Sequence, residues 1–528
     1  MSFKEAVVIG GGHNGLVCAA YLARSGVSVT VVEARDELGG AAGAYEYLPG
    51  FRASMTNSPG SLESLVVQEL ELEKYGLRFI APPVTLIHPF EGSTFVGWRD
   101  RKLTDEQFEK YAPGEANRYR SFVDSLNRLG ANSGLSLWER PPMPDVIRQR
   151  LEDEQDRSLF DQLVYGSLDE VLDSKLKSDE AKALMAMLAV NGQMVSPKEP
   201  GTAIGLLMRP ISMASSSDPD PHSPNRSPLR GSVGLPVGSM SAIVEALKRV
   251  GAAAGVTYVT GKRVRRVTTG DSGATGVELE DGRFIGADAV VSTVEPSILL
   301  NELVDAAALG LSNESVAPPE GSAFKIALAL DSLPGIANLP PELPAEVALQ
   351  SQVRIGPSLG YIYAAIHDAI SSRPSKGPIM WGLVPSVTSE GLAPRGKHLF
   401  SVNVWHAPHS LGREYWAEHK DEFGRRCIEI LDEHMPGLGA RIEDYSFLSP
   451  TEIADELSLT GSNITHGNML PSSLLGNRPH RVLSDYATPL EGLFLGGAGV
   501  WPGGYVTGAP GRNAASRVKI FLESKVIV

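Results

Sequence analysis

Apolar residues along this chain follow three rhythms. Short unbroken runs at Ala6–Ile9, Val27–Val32, Ala289–Ser292 and Leu493–Leu495 have the length and composition of parallel strands buried on both faces. Spaced apolar positions in YRSFVDSLNRLGA, DEAKALMAMLAVNGQM and Glu414–His434 predict helices, with Met185, Met187 and Met194 as helix core. The β-rich runs Phe324–Leu330 and His398–Trp405 predict strands of a second sheet. Phe51–Tyr75 predicts a loop and then a helix with a serine N-cap candidate and an apolar face of Leu62, Leu65, Val66 and Leu70.

The first two strands are joined by GGGHNGLVCAAYLARSG. Gly10, Gly12 and Gly15 have the G-x-G-x-x-G spacing. The apolar stretch after Gly15 is helical in composition and ends near Gly26. Gly10 lets the strand turn, Gly12 leaves no Cβ between backbone and a pyrophosphate, and Gly15 lets helix and strand pack closely. The first N–H groups of the helix and the positive end of its dipole then face phosphate. Glu33 lies 18 residues (33 − 15) beyond Gly15, close to the roughly 20 expected of the acid that binds ribose hydroxyls. Strand, glycine turn, helix, strand and acid form one βαβ unit for a dinucleotide.

Further along, Asp281 and Gly282 signal a hairpin between β-rich runs. The segment SMASSSDPDPHSPNRSPLR, Ser212–Arg230, is rich in Pro and Ser and is expected to form a linker, a surface loop or a lid. Ser54–Pro59 follows the second glycine loop, and either lines the active site or forms ordinary turns. Near the end, GLFLGGAGVWPGGYVTGAPGRNAASRV predicts a strand, a glycine-rich turn and a helix from about Gly508. That helix start is expected to offer N–H groups to a cofactor ring. Trp501 and Tyr505 are the aromatics placed to wall a ligand.

Composition narrows the function. The 528 residues are enough for two or three domains, and 42% apolar with 21% charged residues fits a globular protein. With 48 basic and 62 acidic residues the formal charge is −14, which disfavours nucleic acid. The short basic run Lys262, Arg263, Arg265 and Arg266 reads as a solvated strand face. Two isolated cysteines, Cys18 and Cys427, exclude a disulfide framework, a cysteine zinc site and a C-x-x-C redox pair. His406 and His409 lack the carboxylates and helical spacing of a metal site and read as loop polarity; no metal is expected. The chain starts directly in a strand and has no apolar run near 18 residues. The expectation is therefore a cytoplasmic protein, with peripheral membrane contact and a homo-oligomer left open.

The turn ARDELGGAAGA, with Gly39 and Gly40, resembles the extended fingerprint of flavoproteins with the glutathione-reductase-type nucleotide fold. Together with GLPVGSMSAIVEAL, ADAVVSTVEP and LFLGGAGVWPGGYVTGAPGRNAA, it resembles the phytoene desaturase-related FAD-dependent oxidoreductases. The closer likeness is to the branch called pyridine nucleotide-disulfide oxidoreductase domain-containing protein 2. The resemblance implies an α/β fold: a glutathione-reductase-type FAD-binding Rossmann domain with an inserted α+β substrate domain. Residues 1–90, 231–308 and 479–528 would form the discontinuous FAD-binding part, and 91–230 and 309–478 the substrate part with its helices. It also implies FAD contacts at Gly10, Gly12, Asn14, Gly15, Glu33, Ala34, Arg35, Gly39, Gly40, Ala41, Val264, Gly497, Ala498, Gly504, Tyr505 and Val506.

The expected activity is transfer of hydride from a C–H bond of a lipophilic, terpenoid-type substrate to flavin, with His466 as the candidate catalytic base. A second G-x-G-x-x-G unit is absent from the sequence, so oxygen, a quinone or another protein is expected as electron acceptor. The desaturase group usually carries an Asp after the loop aromatic, where this chain has FRASMTNSP; a smaller substrate than a long polyene follows. Two alternatives share the fold. Flavin amine oxidases commonly carry a glutamate that GGAGVWPGG lacks. Escort and carrier proteins for prenylated partners do without flavin, which the complete phosphate turn and Glu33 argue against.

Overall fold

In the computed structural model the described residues are 4–57, 62–190, 192–216, 234–271, 273–311 and 316–525. Five parallel strands form the nucleotide sheet, in the order Leu493–Leu495, Ala289–Ser292, Glu5–Ile9, Ser28–Val32, Thr257–Val259. The period of two along a strand decides the two faces. Ala6 and Val8 join a core with Cys18, Ala19 and Leu22 of helix His13–Arg24 and Ala514, Ala515 and Val518 of helix Ala509–Ser524. Val7 and Ile9 point the other way, into a core with Val264, Val267, Val277 and Leu279 of a three-stranded antiparallel sheet. That sheet contains the predicted hairpin at Asp281 and Gly282, between strands Gly273–Leu279 and Phe284–Gly286. Each fully buried Val or Ile contributes about 1.5–3 kcal/mol relative to exposure, so the unbroken apolar runs are what hold the sheet between its two layers. The two helices approach closely because Gly511 has no side chain: a Cβ there would meet the carbonyl oxygen of Asn14 at 2.1 Å.

Seven strands form the second sheet, in the order Ile442–Leu448, Phe324–Leu330, His398–Val404, Met380–Leu383, Gln352–Ile355, Val84–Phe90, Ser93–Trp98. Strand Phe324–Leu330 is buried on both faces. Phe324, Ile326, Leu328 and Leu330 pack with Trp416, Phe423, Cys427, Ile430 and Leu431 of helix Gly412–His434. Ala327 and Ala329 belong instead to the core of the helical layer. Between helices Arg101–Tyr111 and Met208–Ala214 the chain is largely helical, and Phe108, Phe122, Leu129, Phe160, Leu163 and Leu172 fill that layer.

Several local expectations need correction. Strand Val84–Phe90 belongs to the seven-stranded sheet, pairing in parallel with Gln352–Ile355 and antiparallel with Ser93–Trp98, so the chain leaves the nucleotide part before residue 90. Phe51–Ser54, expected as loop, is a strand in a hairpin with Ala44–Leu48. The helix after it runs Ser64–Glu69 with no side-chain cap, and Leu65 is only half-buried while Val67 is buried. Met185 and Met187 are buried as expected, but Met194 is half-buried and lies outside helix Asp179–Ala189. Ser212 lies buried in helix Met208–Ala214, and residues 217–230 of the expected linker lie outside the described residues. Pro59 and Ser58 do so as well.

Candidate cofactor and active site

The glycine turn is held from three sides. Gly10, at φ +99°, donates its N–H to the carbonyl of Val32, and Gly39 donates to that of Gly11. The Glu33 carboxylate, buried at 9% exposure, accepts from Gly11 N–H at 2.7 Å and from Arg35 N–H at 2.9 Å. The glycines separate into roles. A Cβ on Gly15 would lie 2.0 Å from the carbonyl oxygen of Gly10, and one on Gly39 would lie 2.6 Å from the Cα of Gly43; these are packing positions. A Cβ on Gly12 would meet nothing within 4 Å, because Gly12 faces a cavity at the N-terminus of helix His13–Arg24. That is the place where a pyrophosphate needs bare backbone.

The cavity runs from this turn toward the seven-stranded sheet. Gly10, Gly12, Asn14, Gly15, Glu33, Ala34 and Arg35 line it, as do Gly40, Ala41 and Val264. Ala498, Tyr505 and Val506 reach it from the C-terminal turn, and His466 from the loop before it. So do Met55, Thr56 and Asn57 of the 54–59 stretch. Gly39, Gly497 and Gly504 are not in its wall. Gly497 is packed against the Thr293 backbone and Gly504 against Thr465, where a Cβ would come within 2.3 Å and 2.8 Å of its neighbours. The helix start at Gly508 is not in the wall either: it sits against Val17 and Val66. Trp501 is fully buried elsewhere, its indole N–H donating to the carbonyl of Ser136 at 2.9 Å.

Four buried polar atoms of this wall have no partner among the described residues: His13 Nε2, Asn14 Oδ1, Trp405 Nε1 and His466 Nδ1. Buried polar groups in folded proteins are paired, so these atoms, together with the open position at Gly12, fit a bound dinucleotide. Gly12, Asn14 and Glu33 would hold its pyrophosphate and ribose, and His13, His466 and Tyr505 would face its ring system.

His466 is fully buried, and its imidazole is pulled down to about 3 by loss of solvent, with Arg478 and His13 adding to the effect. It is uncharged at neutral pH. Arg478 fixes its loop. The buried guanidinium donates to the carbonyl oxygens of Thr465, Asn468 and Ala498, tying the 465–468 turn to the C-terminal glycine turn. His406, expected as loop polarity, is fully buried and is likewise pulled to about 3 by burial. Among the described residues no cluster of three or more His, Cys, Asp or Glu could hold a metal ion.

Sequence reasoning missed the cations of the second sheet. Lys325 is 1% exposed, lines the cavity, and donates to the carbonyl of Met55 at 2.9 Å and to Asn403 Oδ1 at 2.7 Å. Burial holds its amine well below the usual lysine range. The signal was present: one lysine inside the apolar run FKIALAL. His13, between two turn glycines, is another wall residue that the sequence pattern did not single out.

Comparison with known proteins agrees with this geometry. The NAD(P)-binding Rossmann-like domain family matches residues 8–57, and the flavin containing amine oxidoreductase family matches residues 221–519, more than half of the chain. The chain is 29% identical over 555 residues to pyridine nucleotide-disulfide oxidoreductase domain-containing protein 2 of Mus musculus, covering 97% of this chain and 92% of that protein. It is 24% identical to one subunit of the limonene dehydrogenase of Castellaniella defragrans, over 97% of this chain and 94% of the other. The phytoene desaturase (lycopene-forming) of Pantoea ananas is also 24% identical, over 99% and 100%. Putrescine oxidase bound to putrescine shares the fold at a TM-score of 0.62 and 14% identity, covering 99% of each chain. An α/β FAD-binding Rossmann-type fold, a larger second region and a cavity between them are thus accounted for together. The chain belongs to the flavin containing amine oxidoreductase family and is an FAD-dependent oxidoreductase related to the phytoene desaturases.

Proposed function

We propose that this oxidoreductase oxidises a C–H bond of a lipophilic, terpenoid-type substrate smaller than a long polyene. The observation that carries this is the apolar part of the cavity wall. Trp405, Ile453, Leu457, Leu459 and Ile464 supply it, a surface that pairs with hydrocarbon and excludes water. The relative named as part of a limonene dehydrogenase supports the same substrate class. Bound FAD supplies the two-electron acceptor chemistry. The protein's own part is to orient substrate against Tyr505 and His466 and to keep the space dry. His466, neutral and with Nδ1 lacking a partner among the described residues, is the proposed base for a substrate proton.

Three further features belong to the same proposal. The sheet of five parallel strands with a three-stranded antiparallel sheet on one face supports the glutathione-reductase-type variant. One nucleotide turn supports oxygen or a quinone as acceptor rather than a second nucleotide. Among the described residues no helix is long and apolar enough to cross a membrane; a cytoplasmic protein with peripheral membrane contact, and with or without a homo-oligomer, is compatible with that.

The test is an anaerobic titration of the purified protein against terpenoids and amines of matched size, following the flavin absorption band. Bleaching by terpenoids alone is expected. Bleaching by amines alone would assign the amine oxidase activity instead, and a colourless protein that takes up no FAD would favour a carrier.

A further inference from the structure

Asn403 of strand His398–Val404 and Trp405, the residue that follows it, both belong to the cavity wall. Trp405 prolongs the strand, its backbone N–H donating to the carbonyl of Ile379 at 2.9 Å. The period of two separates the faces. Phe400, Val402 and Val404 enter the core with Trp416 and Leu431, while Leu399 and Trp405 enter the core on the other side. Asn403 has the same parity as Trp405 and shares its face. His406 then takes φ +68° and donates its N–H to the Ser322 hydroxyl at 3.1 Å, which ends the strand at Trp405.

The polar groups of this face are only partly paired. The Ser401 hydroxyl donates to Asn57 Oδ1 at 3.2 Å. Asn403 Oδ1 accepts from Lys325, its register partner on Phe324–Leu330, at 2.7 Å. The amine is the donor in that contact, so the oxygen of the amide faces Lys325 and the NH2 end is left over. Asn403 Nδ2 makes no hydrogen bond to the described residues and is not among the fully enclosed polar atoms. Trp405 is 3% exposed, and its Nε1 has no acceptor among the described residues. Of the four unpartnered atoms of the wall, those of His13, Asn14 and His466 have places against the cofactor; Trp405 Nε1 has none.

Two free donors thus stand two residues apart on one strand face. Buried N–H groups are paired in folded proteins, and an indole N–H can only donate. The carboxylates of the wall do not serve them. Glu33 accepts from Gly11 and Arg35, Glu295 accepts from Ser297 N–H at 3.0 Å, and Glu302 is exposed on helix Leu299–Leu303. A pure hydrocarbon or an ammonium group brings no lone pair to these donors. An anionic oxygen would share the wall with three carboxylates.

We propose that the lipophilic substrate carries an uncharged oxygen, a ketone or hydroxyl, which accepts from Asn403 Nδ2 and Trp405 Nε1 while Ile453 and Ile464 cover its hydrocarbon part. This rests on the lipophilic-substrate reading above and names the polar group of that substrate. Two donors on one strand face hold the oxygen and so select which carbon of the substrate is presented for oxidation.

The test is calorimetric binding of limonene, carvone and carvylamine to the flavin-loaded protein. The three share a ring skeleton; carvone adds a ketone oxygen to it and carvylamine an ammonium group. Carvone should bind roughly three- to tenfold more tightly than the other two, the range of a net neutral hydrogen bond. Trp405→Phe keeps an aromatic ring and removes the N–H. Asn403→Asp keeps the acceptor for Lys325 and removes the Nδ2 donor. Each should weaken carvone by a factor in the same range and leave limonene unchanged. Equal binding of carvone and limonene, tighter binding of carvylamine, or a carvone preference that survives in both variants would overturn the proposal. So would a Trp405→Phe protein that loses FAD and keeps the carvone preference, since the N–H would then serve the cofactor. If Trp405→Phe does not fold, Asn403→Asp and the ranking on the wild type decide. The ranking is also measurable on flavin-free protein, so a failure to load FAD counts against the oxidoreductase reading alone. Binding of none of the probes would overturn the lipophilic-substrate reading and this one with it, whereas equal binding of limonene and carvone overturns only this one.

Discussion

The carboxylate of Glu33 reaches back across the nucleotide turn to accept the N–H of Gly11 at 2.7 Å. The acid proposed to accept ribose hydroxyls therefore also fixes the shape of the glycine turn. Its other oxygen accepts from Arg35 N–H. Glu33→Gln has one oxygen for these two donors, and losing a charged acceptor at a buried N–H costs about 1–3 kcal/mol. The variant should fold with a lower melting temperature and bind FAD at least tenfold more weakly. Unchanged FAD affinity in a titration of the stripped protein would contradict the dual role.

Gly12 and Gly15 should separate binding from folding. Gly12→Ala adds a methyl group into open space at φ −67°, so the protein should fold normally and lose FAD uptake. Gly15→Ala places a Cβ 2.0 Å from the Gly10 carbonyl oxygen, where helix and strand must move apart, costing about 1–3 kcal/mol or more. Flavin content against melting temperature for the two variants distinguishes them, and equal loss of stability would refute the distinction.

Four buried histidines make the protein sensitive to mild acid. His13 is pulled to about 4 and His88, His406 and His466 to about 3, each by burial, from an ordinary value near 6.5. A lowered histidine binds its proton more readily in the unfolded chain. Stability from these groups is thus fully present above about pH 6.5 and is lost as pH falls from there toward 4 and 3. Each group contributes a slope of about 1.4 kcal/mol per pH unit in that window. Denaturant unfolding measured between pH 7 and 4.5 should show the decline; proton uptake near zero on unfolding at pH 5 would exclude it.

Neither cysteine should react in the native state. Both thiols are buried, and burial raises Cys18 to about 12 and Cys427 in the same direction. An aromatic disulfide reagent should titrate no thiol before unfolding and two after it. Cys18→Ala should keep its oxidoreductase activity, which a thiol-based mechanism would not allow.

The parts of the fold legible in the sequence are those whose burial leaves a local trace. Ala289–Ser292 and Leu493–Leu495 are covered on both faces and read as unbroken apolar runs, so they could be placed in the nucleotide sheet from far along the chain. Val84–Phe90 could not. Its parallel partner, Gln352–Ile355, is remote in sequence, and its own residues include Thr85, His88 and Pro89. The cofactor end of the site was readable because glycine spacing is itself the physical requirement. The substrate end was not. Lys325 in FKIALAL looks like an ordinary strand lysine until the layers that bury it are in place. Trp501 shows the reverse failure: an aromatic in a glycine turn suggests a ligand wall, yet its indole is spent on the Ser136 carbonyl.

The order of strands in the nucleotide sheet has a consequence for biosynthesis. Leu493–Leu495 is the neighbour of Ala289–Ser292, and helix Ala509–Ser524 lies against the first helix. A nascent chain halted at residue 480 would already own the glycine turn and Glu33. It would still lack an edge strand, half of one helical layer and the turn carrying Ala498 and Tyr505. If Ala498 and Tyr505 contact the yellow cofactor, its capture should be a late event on or after the ribosome, and colour in a purified preparation should report that the last segment has docked.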